Sequence, residues 1–227
     1  FILNDINKKK ELFGKSSLVT AGPTHENIDP VRYIGNRSSG KMGSAIAEEL
    51  AEKGANVTLV MGPSSIKSNH PNVNQINVTS ADEMYEVVSQ HFSESDISVF
   101  SAAVSDYKPK VVYNEKVKKF DENWTVELEK NKDILMEMSL SKRESQFVVG
   151  FALETENEHE NAIIKLKKKK LDLIILNSTK DSRSTFGFDT NKITIIEKDL
   201  KVREFDLKNK SEVAKDIVSA IIKNINK

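Results

Sequence analysis

Apolar positions along the chain fall into two alternating kinds of segment. Short strand-like runs occur at Ser16–Ala21, Asn56–Met61, Val73–Val78, Asp96–Val104, Phe147–Ala152 and Leu171–Leu176. DISVFSAAV at Asp96–Val104 is apolar on both faces, as a central parallel strand should be. Between these runs the spacing turns helical. Met42, Ala45, Ile46, Ala47, Leu50 and Ala51 mark one face of a helix over Lys41–Lys53. Ser80 and Glu83 form a capping box for a helix reaching Phe92. A short helix follows Asn131-Lys132-Asp133 and ends near Leu140, and a charged one spans Glu156–Lys170. A last helix covers Glu212–Ile225, with Val213, Ile217, Ala220, Ile221 and Ile225 on one face. Trp124–Glu129 alternates like an exposed strand. Lys192–Ile196 and Val202–Asp206 read as a hairpin or edge pair. Strand and helix in alternation imply a parallel sheet with right-handed crossovers. The expected fold is a three-layer α/β domain, mostly parallel, with a C-terminal hairpin or edge-strand extension. Residues 1–15 read as a polar leader and 16–227 as one domain, without internal repeat or linker.

The polar punctuation is densest at Tyr33–Gly43, YIGNRSSGKMG. Gly35, Gly40 and Gly43 permit tight turns and close backbone approach to a ligand. Ser38 or Ser39 is expected to cap the following helix, leaving free N–H groups at its positive end. Arg32, Arg37 and Lys41 add charge, so the loop suits an anion, phosphate above all. The bland alternative is a Gly/Ser-rich loop with no ligand. Gly35–Met42 comes one residue from a P-loop, but Met42 stands where a Mg²⁺-binding hydroxyl is needed, and the preceding strand ends far upstream. Further loops follow strand ends at Gly22-Pro23-Thr24, Ser105–Pro109 and Gly150-Phe151, with Asp106 as the prominent carboxylate. Ligands bind at such ends in open α/β sheets.

Composition narrows the chemistry. The chain has 227 residues with 34 Lys plus Arg against 34 Asp plus Glu. Zero net charge argues against a general nucleic-acid binder. Absence of cysteine removes disulfides, thiolate nucleophiles and Cys-ligated zinc. His25, His70, His91 and His159 are scattered without metal spacing. No apolar run approaches the ~18 residues of a membrane span. There is no Ser-His-Asp order and no G-x-S-x-G elbow, so nucleophilic hydrolysis is poorly supported. Cationic, amidic and hydroxyl groups around phosphate suit phosphoryl or nucleotidyl transfer, which rests on positioning and charge neutralisation. A Rossmann-type NAD(P)-dependent oxidoreductase is the alternative. It needs G-x-G-x-x-G directly after the first strand, where this chain has Gly-Pro-Thr. A non-catalytic nucleotide-binding regulatory module is a third class.

Six motifs, in order, carry a resemblance. They are TAGPT (Thr20–Thr24), DPVRYIGNRSSGKMG (Asp29–Gly43), AAVSDY (Ala102–Tyr107), EKVKK (Glu115–Lys119), VGFALET (Val149–Thr155) and LKKKKLDLIILN (Leu166–Asn177). From about Ser16 onward the chain resembles the bacterial phosphopantothenoylcysteine synthetases. The resemblance implies a Rossmann-like fold, a dimer, a cytoplasmic setting and a step of coenzyme A biosynthesis. In that step CTP and Mg²⁺ activate 4′-phosphopantothenate as an acyl-cytidylate with release of pyrophosphate. The amine of cysteine then displaces CMP and forms the amide. In many bacteria the family is the C-terminal half of a bifunctional protein with a flavin-dependent decarboxylase half, and a start at Phe1 fits an excised half.

The resemblance also assigns residues. Asn36 matches the asparagine tied to converting the acyl-cytidylate, through an amide that donates to the acyl oxygen. Lys116 matches the lysine needed to form that intermediate. Asp106, Asp133, Ile134, Leu135, Met136, Phe151, Lys165 and Lys169 match positions around the nucleotide, joined as candidates by Gly22, Ser39 and Gly40. Arg32 matches an arginine at the substrate's acidic end, with Ala102 and Ala103 as further substrate candidates. Lys165 and Lys169 stand at i and i+4 and so share a helix face, with Lys167, Lys168 and Lys170 turned away. Asn131-Lys132-Asp133 departs from the Asn-Pro-Asp common in relatives and alters the stiffness expected of that loop. Metal ligands, and CTP over ATP, are not fixed by the sequence.

Overall fold

A computed structural model describes residues 10–118, 123–178 and 188–226. Residues 1–9 of the expected leader and Lys119 of the EKVKK motif lie outside them. The elements that set the architecture are β1 (Ser16–Ala21), α1 (Lys41–Glu52), β2 (Asn56–Met61), β3 (Val73–Asn77), α2 (Ala81–Phe92) and β4 (Ile97–Phe100). They continue as α3 (Ile134–Ser141), β5 (Phe147–Glu154), α4 (Glu158–Lys168), β6 (Leu173–Ser178), β7 (Ile193–Glu197), β8 (Val202–Glu204) and α5 (Lys210–Ile225).

The eight strands form one sheet in the order β3-β2-β1-β4-β5-β6-β7-β8. β1 through β6 pair in parallel, while β7 and β8 return antiparallel on one edge. The mostly parallel sheet and the edge extension are as expected. The order 3-2-1-4-5-6 of the parallel part is the doubly wound, Rossmann-like arrangement, which reverses direction between β1 and β4.

Strand alternation sorts the core into two layers. Val19, Leu59, Val99, Val149 and Ile175 face α1 and α5, whose Ile46, Leu50, Ile217 and Ile221 are fully buried. Leu18, Val60, Phe100, Val148 and Ile174 face α2, α3 and α4. β5 and β6 are apolar on both faces because helices cover both.

Several boundaries differ from expectation, each for a local reason. The strand expected over Asp96–Val104 ends at Phe100. Beyond it the chain no longer pairs with β5 but stays tied to the continuation of β1, with the Ser101 N–H donating to the Thr20 carbonyl at 3.1 Å and Ala103 bridging Pro23. Neither Ser38 nor Ser39 caps α1. Gly40 occupies the cap at φ 81° with no side-chain hydrogen bond, and Ser38 Oγ instead accepts from the Gly40 N–H at 3.4 Å. A Cβ at Gly40 would lie 2.9 Å from Met61 Sδ, and one at Gly43 2.5 Å from the Ala21 Cβ. These glycines let α1 start directly against β1 and β2. In the Ser80 capping box, Glu83 reaches the Thr79 N–H at 2.7 Å rather than that of Ser80. Of the expected Trp124–Glu129 strand, only Leu128 and Glu129 pair, in a Leu128–Lys130 segment antiparallel to Tyr107–Pro109. Two more small ribbons, His25–Asn27 with Tyr33–Gly35 and Thr190–Asn191 with Lys208–Asn209, were not anticipated. Leu12 is buried beneath α1, its N–H donating to the Lys53 carbonyl, so this part of the expected leader packs with the core.

Candidate functional site

Past the point where the sheet order reverses, the continuations of β1 and β4 stay tied to each other by hydrogen bonds. The Ala103 N–H donates to the Gly22 carbonyl at 2.9 Å, and the Ser105 N–H to Thr24 Oγ1 at 3.0 Å. Two adjoining recesses result. Ala102, Ala103, Phe151 and Leu153 line both.

The larger has a volume of about 380 Å³ and gathers Asn36, Asp106, Asn131, Asp133, Lys165 and Lys169. Asp133 caps α3 by accepting from the Met136 N–H at 3.0 Å, and pairs with Lys169 Nζ at 2.7 Å. Ile134 and Leu135 bury their side chains in the core, so toward a ligand they offer backbone N–H groups at a helix N-terminus. Met136 has its N–H taken by the cap and does not line the recess.

Lys165 has no hydrogen-bond or ion-pair partner among the described residues. Burial, then the nearby Lys169, pushes its pKa below the ordinary value, with Glu154, Asp133 and Asp106 opposing. Lys167, Lys168 and Lys170 are exposed. The α4 periodicity thus turns two of five lysines inward.

Asn36 is fixed more tightly than a loop residue needs. Its Nδ2 donates to the Ala103 and Val104 carbonyls at 3.0 and 3.1 Å. Both amide hydrogens are therefore used, and the group left to face the recess is the acceptor Oδ1. This corrects the expectation of a donating amide.

The smaller recess, about 140 Å³, lies at the N-terminus of α1 and includes Ser39, Gly40 and Lys41. Gly22 lies behind it, its Cα 3.4 Å from where a Gly40 Cβ would sit. Lys41 pairs with Asp189, and Lys210 Nζ donates to the Phe188 carbonyl. Burial and Lys41 lower the pKa of Lys210. Asn191 Nδ2 donates to Asn177 Oδ1 at 3.1 Å, while the buried Asn191 Oδ1 has no partner among the described residues. Sequence reading missed Lys210, Asn177 and Asn191, which are brought here by β6 and by the ribbon pairing Thr190–Asn191 with Lys208–Asn209. A third recess, about 430 Å³, opens at the opposite ends of the strands around Ser16, Asn56 and His91, and carries no Lys or Arg.

Arg32 and Lys116 line neither crevice. Arg32 Nε donates to Asp29 Oδ2 at 2.9 Å, one terminal nitrogen to Asp29 and to the Val117 carbonyl, and the guanidinium lies 4.3 Å from the Trp124 ring centre. Lys116 is exposed on the neighbouring segment.

A doubly wound sheet with lysines and two helix N-termini around the crevice at its switch point defines a Rossmann-like α/β domain. The profile of the DNA/pantothenate metabolism flavoprotein C-terminal domain matches residues 12–225, and the chain belongs to that family. The chain is similar to a cysteine/cysteine sulfinic acid decarboxylase of an unknown prokaryotic organism, 45% identical over 94% of this chain and 60% of that protein. It is also similar to the coenzyme A biosynthesis bifunctional protein CoaBC of Haemophilus influenzae, 42% identical over 97% of this chain and 54% of that one. It therefore spans little more than half the length of these relatives. A crystal structure of the C-terminal domain of CoaBC matches with a TM-score of 0.82 and 39% identity, covering 96% of this chain and 99% of that domain. The fold and the resemblance read from the motifs are both borne out by that match. Among the described residues no helix is long and apolar enough to cross a membrane.

Proposed function

We propose that the chain is a phosphopantothenate–cysteine ligase domain of coenzyme A biosynthesis, which activates 4′-phosphopantothenate with CTP and joins it to cysteine. The observation that carries this reading is the convergence of Asn36, Asp106, Asp133, Lys165 and Lys169, from four separate segments of the chain, on one crevice. In this reading the nucleotide occupies the larger recess, with Lys165 and Lys169 toward its negative charge and the α3 N-terminus toward the base or ribose. The uncapped N-terminus of α1, with Ser39, Gly40 and Lys41, receives phosphate oxygens. Lys116 offsets charge as pyrophosphate departs. Asn36 Oδ1 accepts from the amine of cysteine and aims it at the activated carbonyl, while Nδ2 keeps the side chain against Ala103 and Val104.

Among the described residues no group of three or more His, Asp or Glu side chains converges as a metal site. Asp106 as a single carboxylate fits Mg²⁺, which keeps water and phosphate ligands and takes one or two carboxylates. Bound on the triphosphate, the ion supplies neutralisation of the leaving pyrophosphate.

A homodimer belongs to the same reading. Among the described residues fifteen large hydrophobic side chains are exposed, and eight of them lie between Val31 and Leu128, including Tyr33, Tyr107, Val112 and Trp124. A patch of that kind on ribbons beside the crevice suits a second copy. A flavin-dependent decarboxylase half in the native polypeptide and a cytoplasmic location complete the proposal.

The test is pyrophosphate release in the presence of Mg²⁺. It should require both CTP and 4′-phosphopantothenate, and cysteine should convert the acyl-cytidylate to amide by mass. An ATP arm fixes base choice. NADPH-dependent reduction without pyrophosphate would favour the oxidoreductase instead.

A further inference from the structure

We propose that Asp29 is a positioning residue for Lys116, a buried carboxylate that latches the segment Tyr113–Lys118 in place. The proposal rests on the ligase reading of Lys116.

Asp29 is only 1% exposed and accepts from five donors. Oδ1 takes the Val31 and Arg32 N–H groups, both at 2.9 Å, closing a turn on its own backbone. That much an asparagine would also do. Oδ2 does something further. It holds the Arg32 guanidinium and accepts the Val117 N–H at 3.2 Å, while Arg32 returns a hydrogen bond to the Val117 carbonyl at 3.0 Å. Both backbone groups of Val117, 88 residues from Asp29, are thus gripped by one ion pair. Four residues earlier the Tyr113 N–H donates to the Ile28 carbonyl at 2.9 Å.

Lys116 lies between these two fastenings. Residues 113–118 are in neither helix nor strand, and all but Val117 are exposed. Such a loop opens locally at little free-energy cost unless something ties it down. A lysine meant to meet developing charge needs a fixed origin for its long, flexible stem. Trp124 stacks on the far side of Arg32 and keeps the guanidinium in register. Arg32 holds the Asp29 carboxyl well below the usual carboxylate range, so the latch stays charged at any working pH.

The experiment is a double-mutant cycle on Asp29→Asn and Lys116→Gln, read by CTP-dependent pyrophosphate release. CMP affinity and thermal unfolding report on the crevice and the fold. Amide exchange at Val117 reports on the latch itself. Asp29→Asn should raise Val117 exchange and lower kcat for pyrophosphate release by at least about tenfold, with CMP affinity unchanged within about twofold. The double variant should lose no more than Lys116→Gln alone, because the latch acts only through that lysine. Losses that multiply, or Asp29→Asn activity within about twofold of wild type, would overturn the latch. A parallel fall in CMP affinity and folding would also overturn it, in favour of a purely structural carboxylate. Arg32→Lys keeps the charge beside Asp29 but not the fork to the Val117 carbonyl, and should give a partial loss of the same kind; an unchanged rate in a folded Arg32→Lys protein would count against the latch. A silent Lys116→Gln with faster Val117 exchange in Asp29→Asn would sink the ligase role of Lys116 while showing that the fastening exists.

Discussion

Lys165 and Arg32 are both half-enclosed cations, one lining the crevice and one outside it, and the protein treats them in opposite ways. Lys165 is enclosed without a bonded partner and beside another cation, which depresses its pKa. Arg32 is matched by a buried carboxylate, a backbone carbonyl and an aromatic face. A cation left uncompensated in a recess is prepared for an anion yet to arrive. One already compensated holds the structure together. The same sequence reading had put both in contact with ligand, and geometry separates the two roles.

The largest effects should come from residues that act at different half-reactions. Lys116→Gln should cut pyrophosphate release by about 10²–10³-fold, the usual loss for one group facing transition-state charge. Asn36→Asp should still release pyrophosphate yet accumulate acyl-cytidylate, because a carboxylate cannot donate to the Ala103 and Val104 carbonyls and leaves the wall. A quenched assay by mass separates them; intermediate in the Lys116 variant and none in the Asn36 variant would reverse the assignment.

Next comes nucleotide affinity. Lys165→Ala and Lys169→Ala should each weaken CTP binding by roughly tenfold, about 1.4 kcal/mol, and exposed Lys168→Ala hardly at all. Calorimetry at fixed ionic strength tests this, and equal small losses in all three would make the helix a solvated basic face.

Stability sharpens the contrast further. A lowered lysine pKa means that its charged form is disfavoured on folding, a penalty present at neutral pH and relieved as pH rises toward 10.5. Lys165→Met should therefore raise the thermal midpoint by about 2 °C while weakening CTP. Arg32→Met should do the reverse, lowering the midpoint with CMP affinity intact. The Asp29 pKa is depressed, so its contribution is full above the ordinary 3.8 and fades as pH falls below it. The gap between Arg32→Met and wild type should narrow in acid, and a gap independent of pH would contradict the ion-pair account.

The smallest effect tests the near-P-loop. Met42 is 9% exposed and opens α1 on its buried side, so Met42→Ser should not tighten CTP·Mg²⁺ binding. Tightening would revive a hydroxyl-ligand reading.

What could be read in advance was whatever shows in a local window. The strands β1, β2, β5 and β6 stand out as short apolar runs between turn residues, and the inward turn of Lys165 and Lys169 follows from a spacing of four. What could not was set by distant partners. Ser38 and Ser39 are good caps, but the approach of Met61 and Gly22 gives the position to Gly40. The Asn36 donors were spent on carbonyls 67 and 68 residues away. Lys210 and Asn191 reach the recess at the α1 N-terminus only because a short ribbon folds back there. Leu12 looked polar by its neighbours, NKKKE, and is buried by the end of α1.

The position of β1 in the sheet has a consequence for synthesis on the ribosome. The first strand of this domain lies in the middle of the sheet, flanked by β2 on one side and by β4 on the other. A nascent chain can settle β1, β2 and β3 with α1 and α2 once Phe92 has emerged. The opposite flank of β1 then stays bare until Ile97–Phe100 arrives, and Lys169 follows many residues later. Translation thus completes a folding nucleus well before it completes the crevice. A chain stopped between those points would hold half a sheet with an open hydrophobic edge, the kind of intermediate that chaperones bind.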